Sequence, residues 1–184
     1  GLDAAFFKGD SRTIMVTCAD KARVGHVRDG RMLAEFGSAY LAAGERKRAE
    51  DAFQRAIQAD PKDPGIRFLV AYAWLHHGHK PEALAAFDAM AKADPKATAW
   101  FQRAAVSLMN AGCEKEAVGY MEKARVLDPK NATACVEFGR AALRARAREL
   151  AGSWFARALQ AAPGDETVLN DIALAYADKG EAKP

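Results

Sequence analysis

Apolar residues recur along most of the chain at intervals of three and four positions, with polar residues between them. In the stretch 30–56 they are Leu33, Phe36, Tyr40, Ala49, Phe53 and Ala56. Spacings of i, i+3, i+4 and i+7 place side chains on one face of an α-helix. The pattern therefore predicts two amphipathic helices in this stretch, with Gly44 between them to end the first.

The same helix pattern returns every 34 residues. The prolines that mark this interval are Pro61, Pro95, Pro129 and Pro163, the first three of them in ADPK, ADPK and LDPK. A proline lacks the backbone N–H and restricts the residue before it, so each is predicted to end a helix. The interval divides the chain into rows 30–63, 64–97, 98–131 and 132–165 and a half-row or capping helix with tail, 166–184.

Aligned positions of the rows hold residues of one kind. One column is small, with Gly37, Ala71, Ala105, Gly139 and Ala173, and another is bulky, with Phe53, Phe87, Met121 and Phe155. Small residues allow the two helices of a row to cross closely, and large ones fill the space beside the crossing. A single helix pair cannot bury its apolar face, so stacked copies are predicted to form a solenoid with a continuous core.

In row length, small and aromatic columns and terminal proline, the rows resemble the tetratricopeptide repeat (TPR). The resemblance implies an all-α fold, a right-handed solenoid of antiparallel helix pairs (the TPR superhelix), with four repeats and a further first helix. Two positions depart from the pattern, because Arg67 replaces an apolar residue and Arg146 replaces the turn glycine of row four. The turn at Arg146 is therefore the least regular part of the predicted array.

Residues 1–29 are predicted to be a separate N-terminal segment. When the 34-residue alignment is extended toward the N-terminus, Met15 and Ala19 fall in second-helix columns, which favours a degenerate repeat helix or cap. The β-branched residues between positions 13 and 17 are also compatible with a strand.

The composition is typical of a folded helical protein, since half of the residues are hydrophobic and 28% are charged. No stretch approaches the ~18 consecutive apolar residues of a membrane span. The net charge of +3 is too small to imply nucleic acid as an obligate partner. The chain begins GLDAAFFKGD without Met, so a removed signal peptide or anchor would not be visible, and a cytoplasmic location is the default prediction.

No catalytic constellation stands out, so the chain is predicted not to be an enzyme and to need no cofactor or metal. The run HHGH at 76–79 offers three imidazoles, but they straddle a turn glycine and are interpreted as polar residues of an exposed turn. A metal enzyme built on this run is the least favoured alternative. Cys135 falls in an apolar column and is expected to be buried, whereas Cys113 lies in a turn and is expected to be exposed.

The resemblance implies that function lies on the concave face formed by the first helix of each row. In row two, Phe68, Leu69, Tyr72 and Leu75 are apolar but lie outside the packing columns. A helix that is apolar on both faces is either buried on both or presents one of them to a partner. Three interpretations remain for this surplus face: peptide binding, coverage by segment 1–29, and burial in a dimer.

Rows three and four add positive charge at Arg103, Arg140 and Arg144. Arginine pairs with carboxylates through a planar fork, so a partner with acidic as well as apolar residues is predicted. A solvated basic face, partly neutralised by Glu137 and Glu149, is equally compatible with the sequence. The predicted groove residues are Phe68, Leu69, Tyr72, Leu75, His76, Arg103, Val106, Met109, Arg140 and Arg144.

Some TPR proteins hold the acidic C-terminal tails of heat-shock chaperones in a two-carboxylate clamp of Lys, Asn and Arg side chains. The corresponding positions here hold Ala34, Ser38, Leu69, Ala99 and Arg103. Only Arg103 matches, so this type of clamp is disfavoured.

The leading prediction is a non-catalytic scaffold, a chaperone-like adaptor in the broad sense, whose concave groove holds an extended or helical segment of a partner protein. The alternative is an assembly module that self-associates through its ends or through segment 1–29, with a homodimer as one form. The half-row motivates this alternative, because Leu169, Ile172 and Tyr176 form a terminal apolar stripe without a covering helix, unless residues beyond 184 supply one.

Overall fold

The computed structural model describes residues 27–177, and every regular element in that range is an α-helix. The helices are α1 (Gly30–Ala42), α2 (Arg46–Ala59), α3 (Pro64–His76), α4 (Lys80–Ala93), α5 (Thr98–Asn110), α6 (Glu114–Leu127), α7 (Ala132–Arg144), α8 (Arg148–Ala161) and α9 (Glu166–Ala177). The all-α prediction is confirmed for this part of the chain. The helix or strand expected within 1–29, and its coverage of row two, fall outside the described residues.

The prolines end helices as the sequence predicts. Each of α2, α4, α6 and α8 ends two residues before a proline. The intervening residue has left the helical conformation, as at Asp60, where φ is −143° and ψ is 86°. Proline disfavours the α conformation at the residue before it, which accounts for this shared ending.

The turn within each row places one residue in the left-handed conformation. In the first row this residue is Gly44, with φ 76°. Arg146 takes the same conformation in row four, with φ 65°, although it has a side chain. The amide of Arg146 donates to the Leu143 carbonyl at 3.0 Å, and Gly44 makes the same bond to Leu41 at 3.0 Å. The irregularity at Arg146 therefore concerns the residue type and not the backbone path.

The chain divides into two compact units, the first ending at Pro95 and the second beginning at Lys96. In the first unit, α1 packs on α2, α3 packs on α4, and α1 also packs on α3. In the second unit, α5 packs on α6 and α7 on α8, while α7 also packs on α5 and α9. Within each unit the first helices of successive rows thus lie side by side, which is the packing of a helical solenoid.

The two helices of a row cross closely at the small-residue column. A Cβ atom added at Gly37 would lie 2.2 Å from the ring of Phe53, and one added at Gly139 would lie 2.5 Å from the ring of Phe155. At the equivalent position of row two, Ala71 is completely buried. The distance between the two helices of a pair therefore depends on the small residue of the first helix that faces the bulky residue of the second. None of the helices described is long and apolar enough to cross a bilayer.

Candidate partner-binding site

A cleft with a volume of about 190 Å³ opens between α1 and α3 of the first unit. Its walls are formed by Ala34, Glu35, Ser38, Leu69, Tyr72, Ala73 and His76. All of these residues belong to first helices, which pack directly on each other. The walls are mainly apolar, and their polar groups are the Glu35 carboxylate, the hydroxyls of Ser38 and Tyr72, and the His76 imidazole.

Tyr72 is the most prominent side chain of this cleft, because 43% of its surface is exposed. Its ring stacks almost parallel on Phe68, with centroids 5.9 Å apart and planes at 16°. On its other side it stacks on His76, again at 5.9 Å and at 19°. Residues four apart lie above one another on a helix, so α3 itself aligns the three rings. This stack holds the Tyr72 ring in a defined orientation at the cleft wall.

Three predicted groove residues are buried instead of lining an open surface. Phe68 is 5% exposed, Leu75 is 6% exposed and Met109 is 1% exposed. The ring of Phe68 lies 6.1 Å from that of Phe87 in α4, so it belongs to the packing between α3 and α4. The expectation that these three side chains are exposed is wrong. Helix α3 packs on both α1 and α4, so its buried stripe is wider than the repeat columns indicate.

Beside the cleft, a hydrogen bond joins α1 to the end of α3. Ser38 Oγ lies 3.0 Å from His77 Nε2. Burial lowers the pKa of His77, and the neighbouring His76 and His79 lower it further. The imidazoles of HHGH also make ring contacts, with His76 edge-on to His77 at 5.2 Å and His79 edge-on to Trp74 at 5.2 Å. Across residues 27–177, no group of three or more His, Cys, Asp or Glu residues is arranged to hold a metal ion.

Both cysteines within the described range are buried. Cys135 is 3% exposed, as expected, and its burial raises the pKa of the thiol. Cys113 is 8% exposed, so the expectation of an exposed thiol is wrong. Its amide donates to the Leu108 carbonyl at 2.9 Å, which folds the turn back onto α5. A buried thiol with a raised pKa, such as that of Cys135, is a poor nucleophile.

Arg140, one of the three predicted groove arginines, is held by a contact with α9. Its Nη2 atom donates to the main-chain carbonyl of Asp171 at 3.3 Å and lies 3.8 Å from the Asp171 carboxylate. Its charge is therefore partly neutralised within the protein.

Arg103 and Arg144 are exposed on α5 and α7 of the second unit. The guanidinium of Arg103 lies 4.8 Å from the ring centre of Trp100, and Arg144 Nε donates to Asn110 Oδ1 at 3.4 Å. Val106, also on α5, is half-buried. These neighbours orient the two arginines and still leave their side chains accessible.

The predicted groove residues thus fall into two groups, one in each unit. Leu69, Tyr72 and His76 meet in the first-unit cleft, and the accessible remainder lie in the second unit. Glu35 and Ser38 line the cleft but were not among the predicted site residues. Alignment of the rows could have identified them, because Glu35 and Ser38 precede Leu69 and Tyr72 by one 34-residue repeat.

The model of the tetratricopeptide repeat matches residues 35–98 and 103–166. The chain belongs to the tetratricopeptide repeat family. The resemblance drawn from the 34-residue rows is thereby confirmed. Members of this family generally serve as non-catalytic adaptors in protein–protein interaction.

Several solved structures are similar to this TPR chain. The crystal structure of MamA is 18% identical, with 87% of this chain and 93% of that chain covered and a TM-score of 0.51. YrrB, described as a TPR protein with an unusual peptide-binding site, is 18% identical over 92% of this chain and 87% of its own, with a TM-score of 0.49. PilF of Pseudomonas aeruginosa is 16% identical over 83% of this chain and 69% of its own, with a TM-score of 0.49. No curated protein sequence matches significantly.

Proposed function

We propose that this TPR protein is a scaffold whose α1–α3 cleft binds an extended segment of a partner protein. The observation that carries the proposal is Tyr72, an aromatic side chain that is 43% exposed in the wall of a mainly apolar cleft. Exposed apolar surface in a concavity is typical of interaction sites, and tyrosine is enriched among the residues that dominate binding energy. The stack of Tyr72 between Phe68 and His76 supports the proposal, because an ordered ring loses little entropy on binding.

The size of the cleft indicates what it accepts. A cavity of about 150 Å³ is known to hold a benzene ring, so the volume of about 190 Å³ suits one large apolar side chain. Glu35 lies in the cleft wall, which disfavours a carboxylate at that point. Acidic residues of the partner are therefore expected outside the apolar anchor. In the second unit, Arg103 and Arg144 are exposed and suit acidic residues of a partner in their own right.

The proposal can be tested with a peptide library selected on the full chain. The selected peptides are expected to share one large apolar residue, with acidic residues elsewhere. Tyr72→Ser should weaken the binding of a selected peptide by about tenfold or more, because burying a large side chain contributes about 1.5–3 kcal/mol. Fluorescence anisotropy of the labelled peptide measures this loss.

The matched control is Val126→Ser, which removes an apolar side chain that is 73% exposed on α6, in the other unit. Its peptide affinity should equal that of the parent chain. Circular dichroism should show the same helix content in both variants. If Tyr72→Ser and Leu69→Ser, which both alter the cleft, bind the peptide with parental affinity, the cleft is not the binding site.

A further inference from the structure

The first-unit cleft has one acidic side chain in its walls. Of the seven residues that line it in the described part of the chain, Glu35 is the acid, and none is a lysine or an arginine. Glu35 is exposed, whereas Ala34 beside it is only 2% exposed. The carboxylate therefore stands at the mouth of the cleft, where it is accessible to a partner.

The charge of Glu35 is not offset by the arginine one turn earlier on α1. That residue, Arg31, has its Nη2 atom 3.4 Å from the carboxylate of Asp63, so its charge is balanced by a different acid. Glu35 does take part in an interaction within the chain. A carboxylate has about four lone-pair sites, so it can accept a further donor from a partner as well.

The apolar walls suit the stem of a long basic side chain. Leu69 is half-buried and Tyr72 is exposed, and both lie in the same cleft as Glu35. Lysine and arginine lay their methylene stems along apolar surface while the charged group stays accessible. Arginine matches a carboxylate better than lysine does, because its planar fork can donate two hydrogen bonds to it.

An extended partner segment can fill the cleft and reach its mouth at the same time. Side chains two residues apart in an extended chain point to the same side, about 7 Å from each other. One of them can enter the cleft as the apolar anchor while a neighbouring one meets the carboxylate of Glu35.

We infer that Glu35 selects a partner segment that carries an arginine or a lysine within two residues of its apolar anchor. This inference rests on the function proposed for the cleft and specifies the chemistry of the partner, which is basic around the anchor. It makes Glu35 a specificity-determining residue, in addition to the apolar contacts of Leu69 and Tyr72.

The probe is a library of short peptides with one fixed phenylalanine and random residues around it, selected on the full chain. Arginine and lysine are expected to be enriched within two residues of the phenylalanine. A selected arginine peptide is then compared with its citrulline analogue, which keeps the planar side chain but carries no charge. Fluorescence anisotropy of the labelled peptides measures both affinities.

Substitutions of Glu35 should act on the arginine peptide and not on the citrulline peptide. Glu35→Gln is expected to weaken binding of the arginine peptide by about threefold, as for an exposed ion pair, and Glu35→Lys by about tenfold. Both variants should bind the citrulline peptide almost equally well. Raising the salt concentration to about 0.5 M should remove most of the difference between the two peptides.

The matched control is Glu137→Gln. Glu137 is an exposed carboxylate at the same position of row four, but it lies in the other unit and does not line the cleft. This variant should bind the arginine peptide with parental affinity, and circular dichroism should show parental helix content in all three variants.

The possible failures separate this inference from the function on which it rests. Peptides that need Tyr72 but show no enrichment of basic residues would overturn the inference alone. An arginine peptide that Glu35→Lys binds with parental affinity would do the same. A selection that yields no binder, or only peptides whose affinity Tyr72→Ser and Leu69→Ser leave unchanged, would overturn both.

Discussion

Replacing Arg146 with glycine is expected to stabilise the protein, even though it removes a large side chain. Arg146 has φ 65°, where a residue with a Cβ atom is strained by about 1–2 kcal/mol. The greater freedom of glycine in the unfolded chain offsets about 0.5–1 kcal/mol of that relief. The Arg146 side chain is exposed, so its removal sacrifices little buried surface. A net gain of about 1 kcal/mol in the free energy of unfolding follows from these two terms.

Urea unfolding is the appropriate assay, followed by circular dichroism and by tryptophan fluorescence. Trp154 in α8 is 1% exposed and reports on the row that contains the mutation, while Trp74 and Trp100 add the signal of the two preceding rows. Two signals are needed because a repeat array can unfold in more than one step. With a slope of about 1–3 kcal/mol per molar urea, the midpoint should rise by about 0.3–1 M while the slope stays constant.

The matched control is Ala145→Gly, one residue earlier in the same turn. Ala145 has φ −78°, so glycine relieves no strain there and should destabilise the protein by about 0.5–1 kcal/mol. The two variants should therefore shift the midpoint in opposite directions. If Arg146→Gly lowers the midpoint, or if both variants shift it equally, the strain argument fails.

Three further substitutions test packing and charge. Gly139→Ala would place a Cβ atom 2.5 Å from the Phe155 ring and should destabilise by about 1–3 kcal/mol, whereas Gly152→Ala, in open space on α8, should stabilise by about 0.5–1 kcal/mol. Thermal unfolding compares the two, and equal effects would contradict the close crossing. Because the pKa of His77 is lowered in the folded protein, the unfolded chain binds the imidazole proton more readily. The free energy of unfolding should therefore fall as the pH drops below about 6.5 and level off above it. His77→Asn, which keeps a hydrogen-bonding group for Ser38, should flatten this profile from pH 5 to 7.5, and an unchanged slope would assign the dependence to other groups.

The helices and their pairing could be predicted from the sequence because both depend on local features. An apolar period of three to four residues indicates a helix, and a proline disfavours the helical conformation at the residue before it. The small and bulky columns at Gly37 and Phe53 show the same locality, since the two residues belong to one helix pair. Cys135 could be placed in the core on the same grounds.

The exposure of individual side chains depends on which neighbouring helices and turns cover them, in the same row or in another, and there the sequence pattern was insufficient. Phe68 and Tyr72 are one turn apart on α3 and look alike in the row, yet Phe68 is covered near Phe87 and Tyr72 borders the cleft. Met109 and Cys113 were misplaced for the same reason, since burial depends on what packs over a residue and not on its own type.

The sequence by itself thus determined the number, length and order of the helix pairs within the described range, because each pair follows from residues less than 34 positions apart. Only the tertiary structure showed that the cleft is bounded by Glu35 and Ser38 from one row and by Leu69 and Tyr72 from the next. It also showed that Arg146 adopts the conformation of the glycine it replaces. The cleft depends on the packing of α1 on α3, which no local pattern records, and the Arg146 conformation depends on the hydrogen bonds that close its turn.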